Sequence, residues 1–224
     1  MPVEASGAVC TVCRAVSSAA SDELPLGRLE AFSDGVFAIA ITLLVLELAV
    51  SQDAGTHLLR AILHEWPSYL AYITSFLTIG VIWLQHSAIT GALRTADVTL
   101  YRLNLLVLLL ASFLPFPTKL IGEFIGSDEP ERVAGVFYGL TLMALSLALT
   151  IFVRYAAEHR RLVKDEVEAD AVEAALAHQP SFLFYGIGIG VSLLVPTAGI
   201  VLYLVTALYL GIPGRTVHRL LHLR

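Results

Sequence analysis

Charged side chains are scarce in this sequence, and their scarcity excludes several classes of protein. Aspartate, glutamate, lysine and arginine make up only 15% of the 224 residues, whereas hydrophobic residues make up 57% and the mean hydropathy is +0.77. A water-soluble domain carries more charge and needs less apolar material. The net charge is −5 and the cations are scattered. We therefore expect no nucleic-acid partner, since phosphate binding requires a clustered basic face.

Cysteine is equally rare, and the two present do not complete a metal site. Cys10 and Cys13 form a CxxC pattern without a second ligand pair, whereas structural zinc takes roughly four ligands. Residues 1–27 are predicted to be a disordered leader, because their short apolar patch does not match a signal peptide. His57 and His64 lie in a predicted outer loop, where their spacing supports only a weak zinc hypothesis. We predict no metal and no cofactor.

Catalytic motifs are also missing. The chain contains no GxSxG and no HExxH, and no span carries a pair of histidines at ligand spacing. We therefore predict that the protein is not an enzyme.

The chain contains several long apolar runs. Each is near the roughly 20 residues that a helix needs to cross a bilayer, and they do not alternate as barrel strands do. We predict an all-α polytopic membrane protein with six spans, at residues 29–50, 66–89, 100–120, 133–153, 181–195 and 197–212. Two prolines are predicted to close the third span, residues 51–65 to form a polar connection, and residues 154–178 to continue the fourth helix or form a surface helix.

The distribution of cations predicts the orientation of these spans. Short cytoplasmic loops hold the lysines and arginines of membrane proteins. With six spans and both termini inside, only Arg60, Lys119 and Arg132 fall on the outer side. A five-span arrangement would move the basic residues of the tail, 213–224, to the outer side as well. We therefore predict six spans and a cytoplasmic C-terminal tail at 213–224. Because no cleavable targeting segment indicates an organelle, we expect a bacterial plasma membrane.

The first span has two distinct faces on a helical wheel. Ile39, Leu43 and Leu46 fall on one aliphatic stripe, together with Val50, while Asp34 points to the opposite side. Because an ionisable group in or near hydrocarbon is costly, Asp34 requires partners from neighbouring helices. The polar groups at similar predicted depth are Trp83, His86 and Asn104. Such a cluster either fixes helix packing or takes part in gating, and the residues alone leave both open.

The start of this span resembles the signature of the transmembrane protein 175 family of potassium channels. The matching residues are Arg28-x-x-x-Phe32-Ser33-Asp34, followed by Gly-Val-Phe-Ala-Ile39. Trp83-x-x-His86, Asn104 and the Phe-Leu-Pro-Phe-Pro-Thr ending of the third span are similar to the bacterial branch. The resemblance covers residues 28–212, with a single copy of the signature.

The resemblance implies a homotetramer of six-helix subunits whose first helices line a potassium-permeable pore. It implies that Ile39, Leu43 and Leu46 form a hydrophobic gate, and that selection of potassium over sodium is modest. It further implies a network, away from the pore, that positions the pore helix. Its members are Arg28, Phe32, Ser33, Asp34, Trp83, His86 and Asn104.

Several roles stay open at this level. Thr42 either offers a hydroxyl to the pore or bonds back to its own helix. Glu47 either concentrates cations at the outer mouth or is a carboxylate at the lipid interface. His86 either couples opening to pH or is a neutral packing histidine. The rival function is an ion-coupled secondary transporter, in which Asp34 or Glu47 carries a proton or substrate.

Overall fold

The described part of the protein is mainly helical, and Leu93 and Val163 form an isolated antiparallel bridge. The computed structural model describes residues 25–48, 58–164 and 181–211. The CxxC pattern, almost all of the predicted leader, His57, Val50 and the predicted tail lie outside these ranges. Within them the all-α prediction is confirmed.

Eight α-helices, named here in chain order, make up the described residues. They are α1 (Leu26–Leu43), α2 (Leu58–His64), α3 (Trp66–Ala92), α4 (Val98–Phe113), α5 (Pro115–Phe124), α6 (Asp128–Glu158), α7 (Ser181–Leu194) and α8 (Pro196–Gly211). A 3₁₀ turn, Leu44–Glu47, continues α1, and another, Arg160–Leu162, follows α6.

Four of these stretches are long and apolar enough to cross a membrane. They are Leu26–Glu47, Trp66–Ala92, Val98–Phe124 and Asp128–Glu158. The last two predicted spans correspond to α7 and α8, which have 14 and 16 residues and are shorter than the other four. The protein is therefore a helical membrane protein with at least four candidate spans in the described residues.

The third candidate span corrects part of one prediction: helix α4 ends at Phe113, just before the prolines, but the span itself continues beyond them. Pro115 is the first residue of α5, and Leu114 before it keeps helical backbone angles of φ −58° and ψ −32°. A proline is tolerated at the first position of a helix, where its missing N–H would have no partner. The chain therefore continues through Pro117 to Phe124, beyond the predicted end at residue 120.

Two further bounds differ from the predictions. Residues 58–64 were predicted to be part of a polar connection and instead form α2, whose leucines, alanine and arginine favour helix. The fourth span begins earlier than predicted, at Asp128, where acidic side chains in the first turn suit the positive end of the helix dipole. At its other end the helix continues only to Glu158, after which the chain turns.

Helix α6 lies in the middle of the described bundle and packs against α3, α4, α5, α7 and α8. Its buried residues recur at helical spacing, with Leu142, Leu145, Leu149 and Phe152 all at most 1% exposed. Helix α1 packs against α3 and α4. This arrangement leaves one side of α1 uncovered within the single chain.

Two glycines let Tyr203 of α8 fit between α6 and α7. A methyl group at Gly139 would collide with the Tyr203 hydroxyl, and one at Gly188 would collide with its ring. The hydroxyl donates to the Gly135 carbonyl oxygen at 3.1 Å. Small residues at this contact allow the close helix approach on which packing inside membranes depends.

We expect Gly188→Ala to lower the thermal stability of the protein in detergent, because the added methyl group overpacks the Tyr203 site. Overpacking of this kind costs about 1–3 kcal/mol. The matched control is Gly186→Ala on the same helix, where an added methyl group meets nothing within 4 Å. Since alanine is the better helix former, this control should melt at or above the wild-type temperature. Equal melting of the two variants would show that Tyr203 does not restrict this position.

Candidate functional site

The buried side of α1 is joined to α3 and α4 by a chain of hydrogen bonds. Asn104 of α4 is at its centre: its Nδ2 donates to Ser33 Oγ at 2.9 Å, and its Oδ1 accepts from His86 Nε2 at 2.7 Å. Ser33 Oγ also donates within α1, to the Leu29 carbonyl oxygen at 2.8 Å. All three polar side chains of this chain are buried. The described structure therefore satisfies their hydrogen bonds inside the protein.

The imidazole of His86 is held between two aromatic rings. Phe37 of α1 lies on one side with ring centroids 5.4 Å apart, and Phe152 of α6 stacks on it at 5.3 Å with an interplanar angle of 20°. His86 is almost fully buried. This enclosure favours the packing role over the pH-coupling role, and both remain predictions.

Asp34 lies on a neighbouring part of α1 and accepts a hydrogen bond from α3. Trp83 Nε1 donates to Asp34 Oδ1 at 2.8 Å. Unlike Ser33, Asp34 is exposed in the single chain. The structure thus brings together five of the seven residues predicted for the network. They form two groups, Ser33 with Asn104 and His86, and Asp34 with Trp83.

Arg28 and Phe32 are not joined to these hydrogen bonds, which differs from the expectation. The Arg28 side chain makes no hydrogen bond or ion pair with another described residue, and Phe32 is 55% exposed. Both instead line a cavity of about 330 Å³ beside Asn104. Arg28 precedes Ser33 by five residues, about one and a half helical turns, and therefore lies on a different side of α1.

The opposite side of α1 carries the predicted aliphatic stripe and is uncovered. Ile39, Leu43 and Leu46 are 60%, 40% and 71% exposed, whereas Phe37 and Leu44 on the other side are buried. Leu46 lies in the 3₁₀ turn that continues the helix. Because residues three apart eclipse in a 3₁₀ turn, the turn keeps Leu46 in line with Leu43.

The two polar residues predicted beside this stripe have different surroundings. Thr42 is exposed, and its Oγ1 donates to the Ile39 carbonyl oxygen at 2.9 Å, as in the back-bonded alternative. Glu47 is half-buried and lines a cavity of about 940 Å³ with His64, Glu65 and Lys119 among others. Among the described residues no group of three or more histidine, cysteine or acidic side chains could hold a metal ion.

Sequence reasoning missed two residues of the site. Phe37 follows Ser33 by one turn, and with Ala40 and Leu44 it belongs to the buried side of α1, so helical spacing alone would have indicated it. Phe152 is different, because nothing near it in the sequence indicates a contact with His86. Only the packing of α6 against α3 reveals it.

The fold and the site together define a helical membrane protein whose first helix has one face bonded into the bundle and one apolar face left bare. Comparison with known proteins gives the family. Residues 28–115 match the model of the family described as "Endosomal/lysosomal potassium channel TMEM175". The chain belongs to this TMEM175 family, as its signature residues had suggested.

Relatives in two bacteria cover most of the chain. A potassium channel of Streptomyces collinus is 40% identical over 149 residues, which are 66% of this chain and 72% of the relative. A potassium channel of Chamaesiphon minutus is 39% identical over 158 residues, 69% of this chain and 77% of the relative. The crystal structure of a lysosomal potassium-selective channel TMEM175 homolog from the same organism superposes with a TM-score of 0.75 at 35% identity, covering 83% of this chain and 95% of that one.

Proposed function

We propose that this protein is a potassium channel whose pore is formed by the first helices of four copies of the chain. The bacterial relatives named as potassium channels and the structural likeness to a potassium-selective channel support this function. The permeant ion is K⁺, preferred modestly over Na⁺. No enzymatic step belongs to the proposal.

The observation that carries the proposal is the division of α1 into two faces. Its buried face is bonded to α4 through Ser33, and the exposed Asp34 is bonded to α3, so the helix is held in one rotation. That rotation leaves Ile39, Leu43 and Leu46 exposed in one line. One chain supplies one such helix, which cannot enclose a pore. A closed ring of copies about a symmetry axis can do so.

The exposed stripe supports a gate of the hydrophobic type. Four copies of each side chain would surround the axis with branched aliphatic groups, and a narrow apolar constriction expels water. Without water, a cation at the constriction loses its hydration and meets no polar group in return. The closed state therefore needs no plug, and opening requires the helices to move apart.

The membrane arrangement in the proposal has six crossings. At about 1.5 Å per residue, α7 and α8 are about 21 and 24 Å long, short of a hydrocarbon core of about 30 Å. Their packing against α6 and α3 supports a membrane position for both, because short helices are accommodated by local thinning. By the positive-inside rule, the end of the bundle where α1 begins faces the cytoplasm of a bacterial cell, since Arg94, Arg160 and Arg161 lie there.

Ion flux into liposomes tests the proposed function. Purified protein in liposomes should pass K⁺ down its gradient without any other substrate, and should pass Na⁺ more slowly. Empty liposomes are the control for leakage. If flux appeared only when a second gradient drove it, the channel proposal would fail and the secondary transporter would take its place.

A further inference from the structure

A short segment after α6, residues 159–164, is bound to the loop between α3 and α4. Leu93 and Val163 form the antiparallel bridge, and the Arg94 amide donates to the Leu162 carbonyl oxygen at 2.8 Å. Lys164 bonds to the end of α3 twice: its amide donates to Ala92 and its Nζ to the Gly91 carbonyl oxygen, at 3.0 and 2.7 Å. This segment is called the α6 strap below.

Asp97 joins the strap to both neighbouring helices. It is the N-cap of α4, where its Oδ1 accepts from the Leu100 amide at 2.9 Å. Its Oδ2 accepts from the Tyr155 hydroxyl of α6 at 2.8 Å and from the Arg161 guanidinium of the strap at 3.2 Å. The carboxylate therefore contacts the start of α4, the end of α6 and the strap at once.

The carboxylate is buried, whereas its cation is open to solvent. The Asp97 side chain is 8% exposed and that of Arg161 is 62% exposed. Burial by itself raises the pKa of the Asp97 carboxyl, but the hydrogen bonds from Leu100, Tyr155 and Arg161, with the charge of Arg161, outweigh it and hold this pKa below its ordinary value. Asp97 is therefore ionised throughout the neutral pH range.

Helix geometry connects this contact to the residues that hold the pore helix. Asn104 follows Asp97 by seven residues, two turns of α4, so both lie on one face about 10 Å apart along the axis. On α6, Phe152 precedes Tyr155 by three residues and lies on the same side. Asn104 bonds to Ser33 and His86, and Phe152 stacks on His86. Asp97 thus connects the start of α4 to the end of α6, and these are the two helices whose side chains Asn104 and Phe152 contact His86.

We propose that Asp97 is a positioning residue for the pore helix, acting through its contacts with Tyr155 and Arg161, and that the α6 strap biases channel opening through it. The inference rests on the proposed channel function. A shift of the strap moves the start of α4 relative to α6, and with it Asn104 relative to Phe152. Because the contacts of His86 and Ser33 depend on both, α1 changes position in turn.

A purely structural role is the competing account, since an N-cap and a partly exposed ion pair occur in many proteins. An exposed ion pair contributes little to stability. The substitution Asp97→Asn separates the two roles, because asparagine caps a helix about as well as aspartate but cannot pair with Arg161 as an ion. Arg161→Gln removes the same pair from the other side, and Arg161→Lys restores its charge.

The test measures K⁺ flux, thermal stability and tryptophan emission in one background. Trp66→Phe leaves Trp83 as the remaining tryptophan of the two in the chain, and its indole bonds to Asp34 on α1. Its emission therefore reports the position of the pore helix. The matched control is Arg160→Gln, which removes a neighbouring exposed cation that makes no contact with Asp97 among the described residues.

We expect Asp97→Asn and Arg161→Gln to change flux in the same direction by about fivefold, the lower end of typical coupling between sites. Both should shift Trp83 emission, the double variant should equal either single one, and Arg161→Lys should return part of the flux. Unchanged flux and emission with only a lowered melting temperature would overturn the proposal, as would an equal effect of Arg160→Gln. If the wild type passes no K⁺, the channel function fails, and the Trp83 emission still decides the positioning role.

Discussion

Ile39→Asn should raise K⁺ flux through the reconstituted protein about tenfold, because it places polar groups in the proposed hydrophobic gate. Four amides, one from each copy, let water remain where branched aliphatic side chains expel it. A barrier lowered by about 1.4 kcal/mol in total, a few tenths of a kcal/mol from each copy, gives a tenfold change in rate. Leu43→Asn, on the same exposed stripe, should act in the same direction.

Selectivity provides a second measurement of the same effect. A wetted constriction passes hydrated ions, so the preference for K⁺ over Na⁺ should fall as flux rises. The matched control is Leu208→Asn, which places the same amide at a leucine of α8 that is 53% exposed. This variant should conduct like the wild type. Equal increases in Ile39→Asn and Leu208→Asn would mean that asparagine simply makes the bilayer leaky, and the gate assignment would be lost.

Asn104→Leu is expected to produce the largest loss of stability, because it removes the centre of the buried hydrogen bonds. Leucine has a similar volume but leaves His86 Nε2 without its acceptor and Ser33 without one of its partners. A buried polar group left unsatisfied costs about 1–3 kcal/mol. Thermal unfolding in detergent should therefore begin at a clearly lower temperature, and K⁺ flux should change, since Ser33 of α1 loses its hydrogen bond to α4.

A double variant separates lost hydrogen bonds from lost shape. Adding His86→Phe to Asn104→Leu should recover part of the stability, because replacing both partners by apolar groups of similar size is nearly neutral. Ser33 keeps its bond to the Leu29 carbonyl oxygen in either case. The control is Ser112→Ala on the same helix, which removes one exposed bond within the helix and should change little. A double variant no more stable than Asn104→Leu alone would contradict the network account.

Much of α1 could be predicted from its residues. The period of a helix assigns Ile39 and Leu43 to one face and Ser33 to another whatever surrounds them. The cost of an ionisable group near hydrocarbon indicated that Asp34 needs a partner, and the structure places Trp83 at 2.8 Å from it. The family was also predicted correctly, since the comparisons give TMEM175.

Local rules failed where two effects compete. A proline breaks a helix when it lies in the interior but is tolerated when it is the first residue. The sequence after Phe113 does not show which of these positions Pro115 occupies, and the structure makes it the first residue of α5. Helix α2 contains helix-forming residues beside polar ones. Its sequence is therefore compatible both with a helix and with the polar connection that was predicted. Arg28 was predicted to belong to the network only because of the family resemblance. In the structure it lines the neighbouring cavity instead.

The sequence by itself determined that the chain is helical, that it belongs in a membrane, that its first helix has an apolar and a polar face, and which family it joins. These properties depend on composition and on residues within a few turns of each other. Only the tertiary structure decided that Phe152 stacks on His86 and that Asp97 meets Arg161, 64 residues further along. Such contacts depend on how whole helices cross, and the crossing is chosen by the packing of all the helices together rather than by any one segment.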